Sequence, residues 1–102
     1  MALSSKQRSR LRAIGNELTP ILMIGKGGIN ENLVAQLDEA LTARELVKAR
    51  VLPHTEFEPR EVAASLSQSV TAEVIQVIGR NILFFRPPRY QPSIYADILK
   101  EV

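Results

Sequence analysis

The chain has 102 residues, of which 45% are hydrophobic and 24% are charged, as expected for one globular domain that can bury its own core. It contains no cysteine, which excludes disulfides, thiolate metal sites and cysteine nucleophiles. The N-terminal residues lack the apolar run of a secretory signal. No apolar stretch approaches the ~20 residues that cross a bilayer, so we expect a cytoplasmic protein without a membrane partner.

The basic residues are concentrated in the first half of the chain. Residues 1–50 contain eight Lys or Arg and five acidic residues, whereas residues 51–102 contain five and six. An asymmetric basic surface favours an anionic partner. Ordinary surface charge explains the same counts equally well, so charge alone does not decide the function.

The first half of the chain predicts a helix, a strand and a second helix. Residues 5–18 begin with a capping box at Ser4 and have apolar residues at helical spacing. Residues 21–24 form a short, fully apolar segment that is typical of a buried strand. After a glycine-rich stretch, Asn30 is a good N-cap for a helix that ends near Arg44.

The next strand is predicted over residues 46–52, where polar and apolar residues alternate. Val47, Ala49 and Val51 point to one side and Lys48 and Arg50 to the other. This pattern indicates a half-buried strand with a basic outer face.

The second half predicts a helix followed by a hairpin. Pro59 suits the first position of a helix that extends to Val70. Residues 73–78 and 82–86 are apolar strands joined by a Gly-Arg-Asn turn. Residues 93–101 are predicted to form a last short helix.

The resulting order, α-β-α-β-α-β-β, predicts an α/β fold with a mixed four-stranded sheet. The strand-helix-strand unit over residues 21–51 predicts a crossover between parallel strands. The final hairpin is antiparallel, and helices pack on the sheet.

The segment Gly25-Lys26-Gly27-Gly28 is the best candidate binding site in the sequence. Glycines between a strand and a helix let a ligand approach the main chain, the helix start favours phosphate, and Lys26 adds a cation. A G-x-x-G loop is an RNA-backbone clamp in KH modules. A strand-to-helix turn that binds nothing would give the same pattern, and the signatures of a P-loop and of a dinucleotide-binding loop are absent.

The sequence offers little support for catalysis. His54 is the only histidine, and its Pro-His-Thr setting indicates a solvated loop. Phe84 and Phe85 are adjacent on a strand and face opposite ways, and we expect both to lie in the core. We therefore expect no catalytic residues, no metal site and no cofactor.

Several stretches together resemble one protein family. They are residues 18–28, 45–51 and 74–80, followed by Phe85-Arg86-Pro87, with residues 3–8 at the start. They resemble the YhbY-like proteins of bacteria, the stand-alone form of the CRM (chloroplast RNA splicing and ribosome maturation) domain. The resemblance implies a fold like the C-terminal domain of translation initiation factor three.

The resemblance also implies a function. It implies RNA binding through the loop at residues 25–28 and association with ribosomal RNA in precursors of the large ribosomal subunit. We expect a CRM-like RNA-binding domain over residues 1–88 and a C-terminal tail over residues 89–102. Members of the family often end in a basic tail, which this chain lacks.

The expected RNA-binding residues are the glycine-rich segment and a basic face. They are Gly25, Lys26, Gly27, Gly28, Lys6, Arg10, Lys48, Arg50, Arg86 and Arg89. A monomer is expected. Two alternatives stay open: a protein–protein adaptor that uses apolar helix faces without contacting RNA, and an enzyme subunit that binds a small molecule or nucleotide in a pocket at the glycines.

Overall fold

In the computed structural model, which describes residues 2–101, the chain folds into four helices and four strands. The order confirms the predicted α/β fold, and the bounds of the first seven elements lie within two residues of those predicted. In chain order the elements are α1 (Ser5–Asn16), β1 (Leu22–Ile24), α2 (Glu31–Arg44), β2 (Leu46–Val51), α3 (Pro59–Val70), β3 (Glu73–Ile78), β4 (Asn81–Phe85) and α4 (Ala96–Leu99).

The strands form one mixed sheet in the order β1-β2-β4-β3. β1 and β2 are parallel, as the crossover predicts. β4 is antiparallel to both of its neighbours. The C-terminal ends of β1, β2 and β3 therefore lie at the same end of the sheet as the start of β4, and this end is called the loop end below. The opposite end of the sheet, where β2 and β3 begin, is called the tail end.

Helices cover both faces of the sheet. On one face, α2 and α3 pack on a core that includes Ile24, Val47 and Phe84. On the other face, α1 and α4 pack on a smaller core around Leu11 and Phe85. Both phenylalanines are fully buried, which confirms their predicted place in the core. They face opposite ways, so each belongs to a different core.

The prediction that the first strand is buried on both faces is wrong. Ile21 and Met23 are 44% and 49% exposed, whereas Leu22 and Ile24 are buried. The reason is that β1 is an edge strand and α1 packs across β2 and β3 instead. The hydrophobic sequence of this strand therefore does not show that one of its two faces is exposed to solvent.

The tail folds back onto α1. The predicted helix over residues 93–101 is shorter in the structure, at Ala96–Leu99, and Ile98 is buried in the smaller core. The buried carboxylate of Glu45 accepts hydrogen bonds from Ser93 Oγ and, at 2.9 Å, from the N–H of Ile94. Desolvation, followed by the nearby charge of Glu45, raises the pKa of Tyr95. These contacts fix the tail end of the sheet.

None of the helices within residues 2–101 combines the length and the apolar character that a membrane span requires.

Candidate nucleic-acid interface

The glycine loop (residues 25–28) connects β1 to α2 and exposes its tip. The N–H of Gly28 donates to the carbonyl of Gly25 at 2.9 Å and closes the turn. Lys26 and Gly27 are exposed, and their N–H groups find no acceptor within residues 2–101. Two adjacent backbone donors beside an ammonium group form an arrangement that can bind a phosphate.

The two glycines at the end of the loop have different roles. Gly28 has φ +63°, and a Cβ there would lie 2.5 Å from Cζ of Phe57, so the fold itself requires glycine. A Cβ on Gly27 would lie 3.5 Å from Nδ2 of Asn30, which is an ordinary contact. The fold therefore tolerates a side chain at Gly27, and only a ligand that approaches the main chain would require its absence.

The start of α2 is less available to an anion than the sequence suggests. Oδ1 of Asn30 accepts a hydrogen bond from the N–H of Leu33 at 2.9 Å, and Glu31 adds a negative charge in the first turn. Both groups already interact favourably with the positive end of the helix dipole. Phosphate recognition would therefore depend on the loop and less on the helix.

A second loop, residues 52–58, lies beside the glycine loop. The N–H of Leu52 donates to the carbonyl of Ile24 at 2.9 Å. Lys26 and residues 54–57 line a cleft of about 260 Å³ between the two loops. His54 is exposed on this loop with φ +71°, so the predicted solvated position of the only histidine is confirmed.

Arg80 holds the second loop in place. From the β3–β4 turn, its Nε donates to the carbonyl of Val51 at 2.8 Å, and its Nη2 donates to the carbonyl of Leu52 at 2.9 Å and to Oγ1 of Thr55 at 3.2 Å. The sequence does not reveal this role, because nothing in a Gly-Arg-Asn turn shows that the arginine reaches back to another loop. Arg80 is a positioning residue for the loop end.

The two basic residues of β2 differ in whether their side chains bond to the rest of the fold. Arg50 is exposed, next to the last residue of the strand, and its guanidinium makes no ion pair or hydrogen bond with the rest of residues 2–101. Lys48 is half-buried, and its Nζ donates to the carbonyl of Leu18 at 3.1 Å. Arg50 is therefore available to a ligand near the glycine loop, whereas Lys48 is partly engaged by the fold.

The remaining basic residues do not join this site. Lys6 and Arg10 lie on the N-terminal half of α1, which packs at the tail end, where Arg10 pairs with Glu101. Arg89 is exposed in the tail. The continuous basic face that the sequence predicts, with these residues beside Lys26, is not formed, because α1 runs toward the loop end only with its C-terminal half.

Arg86 is engaged by the fold. It follows the last residue of β4, at the tail end, where its Nη1 donates to Oδ1 of Asp38 at 2.7 Å and to the carbonyl of Val70 at 2.8 Å. Its Nη2 donates to the carbonyl of Asp38 and to Oγ1 of Thr42, both at 3.0 Å. These bonds tie β4 to α2 and α3, which is a structural role.

Comparisons with known proteins agree with the family resemblance. The family model described as the CRS1 / YhbY (CRM) domain matches residues 3–86. The chain is 38% identical to the "Probable RNA-binding protein YqeI" of Bacillus subtilis, over 90% of this chain and 96% of that protein. It is 28% identical to a protein of Haemophilus influenzae named "RNA-binding protein", over 83% of this chain and 86% of that protein.

A solved structure shares the fold. The solution structure of the hypothetical protein SAV1595 from Staphylococcus aureus superposes with a TM-score of 0.73 at 41% identity, covering 86% of this chain and 92% of that one. The α-β-α-β-α-β-β order, the glycine loop between β1 and α2 and the family match together identify the chain as a member of the CRS1 / YhbY (CRM) domain family.

Proposed function

We propose that this protein is a non-catalytic RNA-binding protein that holds the RNA backbone at the loop end of its sheet. The observation that carries the proposal is the exposed tip of the glycine loop, where the backbone donors of Lys26 and Gly27 and the Lys26 ammonium stand together. Hydrogen bonds from such donors to a charged phosphate are roughly twice as strong as neutral ones. The names of the relatives in Bacillus and Haemophilus support RNA as the ligand.

The proposed contact residues are a reduced set of those that the sequence predicts. Gly25, Gly27, Lys26 and Arg50 would contact the RNA, and Gly28 would shape the loop. Lys48 would add a weaker contact, because the carbonyl of Leu18 already holds its ammonium.

RNA binding is tested by fluorescence anisotropy with a labelled RNA hairpin and a single strand of equal length over a range of salt concentrations. We expect affinity to fall steeply as salt rises, because phosphate contacts release counterions. Absence of binding at low salt would contradict the proposal and favour the adaptor alternative.

The cellular role that we propose is assistance in the assembly of the large ribosomal subunit. A clamp on the backbone reads the shape and phosphates of RNA more than its sequence, and binding one conformation shifts the population of a folding RNA toward it. The resemblance to YhbY-like proteins supports ribosomal RNA as the target.

This role is tested by sedimentation of a cell extract at low salt. The protein should migrate with the large subunit or its precursors and be released by high salt. Finding it only at the top of the gradient, or equally on mature translating ribosomes, would contradict the role in assembly without affecting the claim of RNA binding.

A further inference from the structure

One row of side chains crosses all four strands at the loop end. The pairing brings Met23 of β1 opposite Arg50 of β2, Arg50 opposite Asn81 of β4, and Asn81 opposite Ile78 of β3. Because opposed residues in a sheet point to the same face, these four side chains share one surface, called the open row below.

The open row lies on the face that α1 covers only in part. Position 48, two residues before Arg50, points to the same side as position 50, and there the Lys48 ammonium reaches the carbonyl of Leu18, which follows α1. Gln76, two residues before Ile78, bonds to Asn16 at the end of that helix. The helix therefore ends one row short, and Met23 and Ile78 remain 49% and 59% exposed.

The chemistry of the open row suits the bases of a nucleic acid. It combines a guanidinium with two flexible or branched apolar side chains and an amide, and it contains no carboxylate. Unpaired bases in RNA-binding proteins stack on aromatic rings or arginine planes, and their edges accept and donate hydrogen bonds; flipped bases also stack between apolar side chains. The Asn81 side chain can donate to such an edge, since its Nδ2 makes no hydrogen bond within residues 2–101, whereas its Oδ1 is buried and also has no partner.

The open row is continuous with the glycine loop. Met23 precedes Gly25 by two residues, and the next residue of β1, Ile24, bonds to the loop that follows Arg50. An RNA strand whose phosphate is bound at Lys26 could therefore lay an adjacent nucleotide on the sheet. Charge favours RNA over an apolar protein partner, because the central residue of the row is an unpaired cation.

We propose that the open row is a base-contacting subsite, which binds one or two unpaired nucleotides next to the phosphate held by the glycine loop. This inference rests on the proposed function and extends it: the loop contacts the backbone, and the sheet distinguishes unpaired bases from a bare sugar-phosphate chain or a closed duplex.

The test compares two single-stranded oligonucleotides with the same number of phosphates, one with bases and one abasic. Wild-type protein should bind the base-containing strand about ten-fold more tightly, which is the order of one base contact. Met23→Ala with Ile78→Ala should remove most of this preference and leave the affinity for the abasic strand unchanged. Lys26→Ala should weaken binding of both strands by the same factor.

Ile94→Ala is the matched control, because Ile94 is 68% exposed but lies in the tail, and it should keep the wild-type preference. Circular dichroism should show that each variant is folded. Equal wild-type affinity for the two strands would overturn the subsite while the glycine loop stands, and no affinity for either strand would overturn the proposed function itself.

A protein occupant is a separate outcome. If the wild-type chain self-associates in sedimentation velocity, Ile78→Glu dissociates it, and the preference for bases is unchanged in the double alanine variant, the open row is a protein interface and the proposal is wrong.

Discussion

The two ends of the sheet use their basic residues in different ways. At the tail end, the guanidinium groups of Arg8, Arg10 and Arg86 pair with the carboxylates of Glu73, Glu101 and Asp38, whereas Lys6 and Arg89 are exposed and form no ion pair within residues 2–101. At the loop end, Lys26 and Arg50 are exposed and pair with no acid among the described residues, and Arg80 bonds to the last residue of β2 and to the loop that follows it.

This difference separates stability from binding within one small domain. Cations that are already paired have little to gain from a phosphate, because binding would first have to break an existing bond. Unpaired cations beside open backbone donors lose only water and counterions. Substitutions of the paired cations at the tail end should therefore change stability, and substitutions at the loop end should change RNA affinity.

The largest expected effect on stability is at the tail end. Arg86→Met should lower the free energy of unfolding by about 2–3 kcal/mol, since it removes charged hydrogen bonds and leaves the carbonyl of Val70 without its donor. RNA affinity of the folded variant should stay within two-fold of wild type. Urea unfolding followed by circular dichroism measures the first quantity, and anisotropy measures the second. A large loss of RNA affinity in the folded variant would contradict the assignment of stability to the tail end and of RNA binding to the loop end.

At the loop end, Gly27→Asp should reduce RNA affinity more than ten-fold, because it places a carboxylate where a phosphate would approach. Stability should change little, since a Cβ at Gly27 makes only an ordinary contact. Gly27→Ala controls for the lost backbone freedom and should bind more tightly than Gly27→Asp. Gly28→Ala is a contrasting variant that should unfold at lower temperature, because its Cβ would collide with Phe57. Wild-type affinity of Gly27→Asp would show that the loop is only a turn.

Removal of one cation should have a smaller effect that distinguishes the two ends. Lys26→Ala should weaken RNA binding by about 1–2 kcal/mol, near ten-fold, as for the loss of a charged hydrogen bond. It should also reduce the slope of log affinity against log salt by about one. Lys6→Ala, at an exposed position of the tail end, removes the same charge and should change both quantities much less. Equal effects of the two variants would indicate that RNA contacts both ends of the sheet through one basic face.

The smallest expected effect is an increase in RNA affinity. Glu56 is the carboxylate that lines the cleft beside Lys26, and it makes no ion pair with any residue in the described chain. Glu56→Gln should therefore strengthen RNA binding by about 0.5 kcal/mol, on the scale of an exposed charge interaction, and most clearly at low salt. Glu39→Gln, on an exposed position of α2, provides the matched control. A weaker complex for Glu56→Gln would place the RNA elsewhere.

Local sequence patterns predict most of the fold. The capping box at Ser4 forms as expected, Asn30 caps α2, and the alternation along β2 separates its buried from its basic side. Each of these signals acts over a few residues, where the sequence contains all the information. The fold of the solved relative supports the same architecture.

The candidate site is less predictable, because it depends on contacts that are distant in sequence. Exposure of Met23 follows from where α1 ends on the sheet, and the role of Arg80 depends on a loop 25 residues earlier. The pairing of Arg10 with Glu101 requires the tail to fold back over α1. A basic face drawn from residue types alone therefore merges two regions that the topology keeps apart.

The most direct test of this separation is an NMR titration of the labelled wild-type protein with a short RNA. Amide signals of the non-proline residues in 23–28, 50–57 and 78–81 should shift as RNA is added, whereas those of the non-proline residues in 3–10 and 86–101 should remain in place. Shifts confined to the second group, or spread evenly over both ends of the sheet, would contradict an RNA-binding site at the loop end.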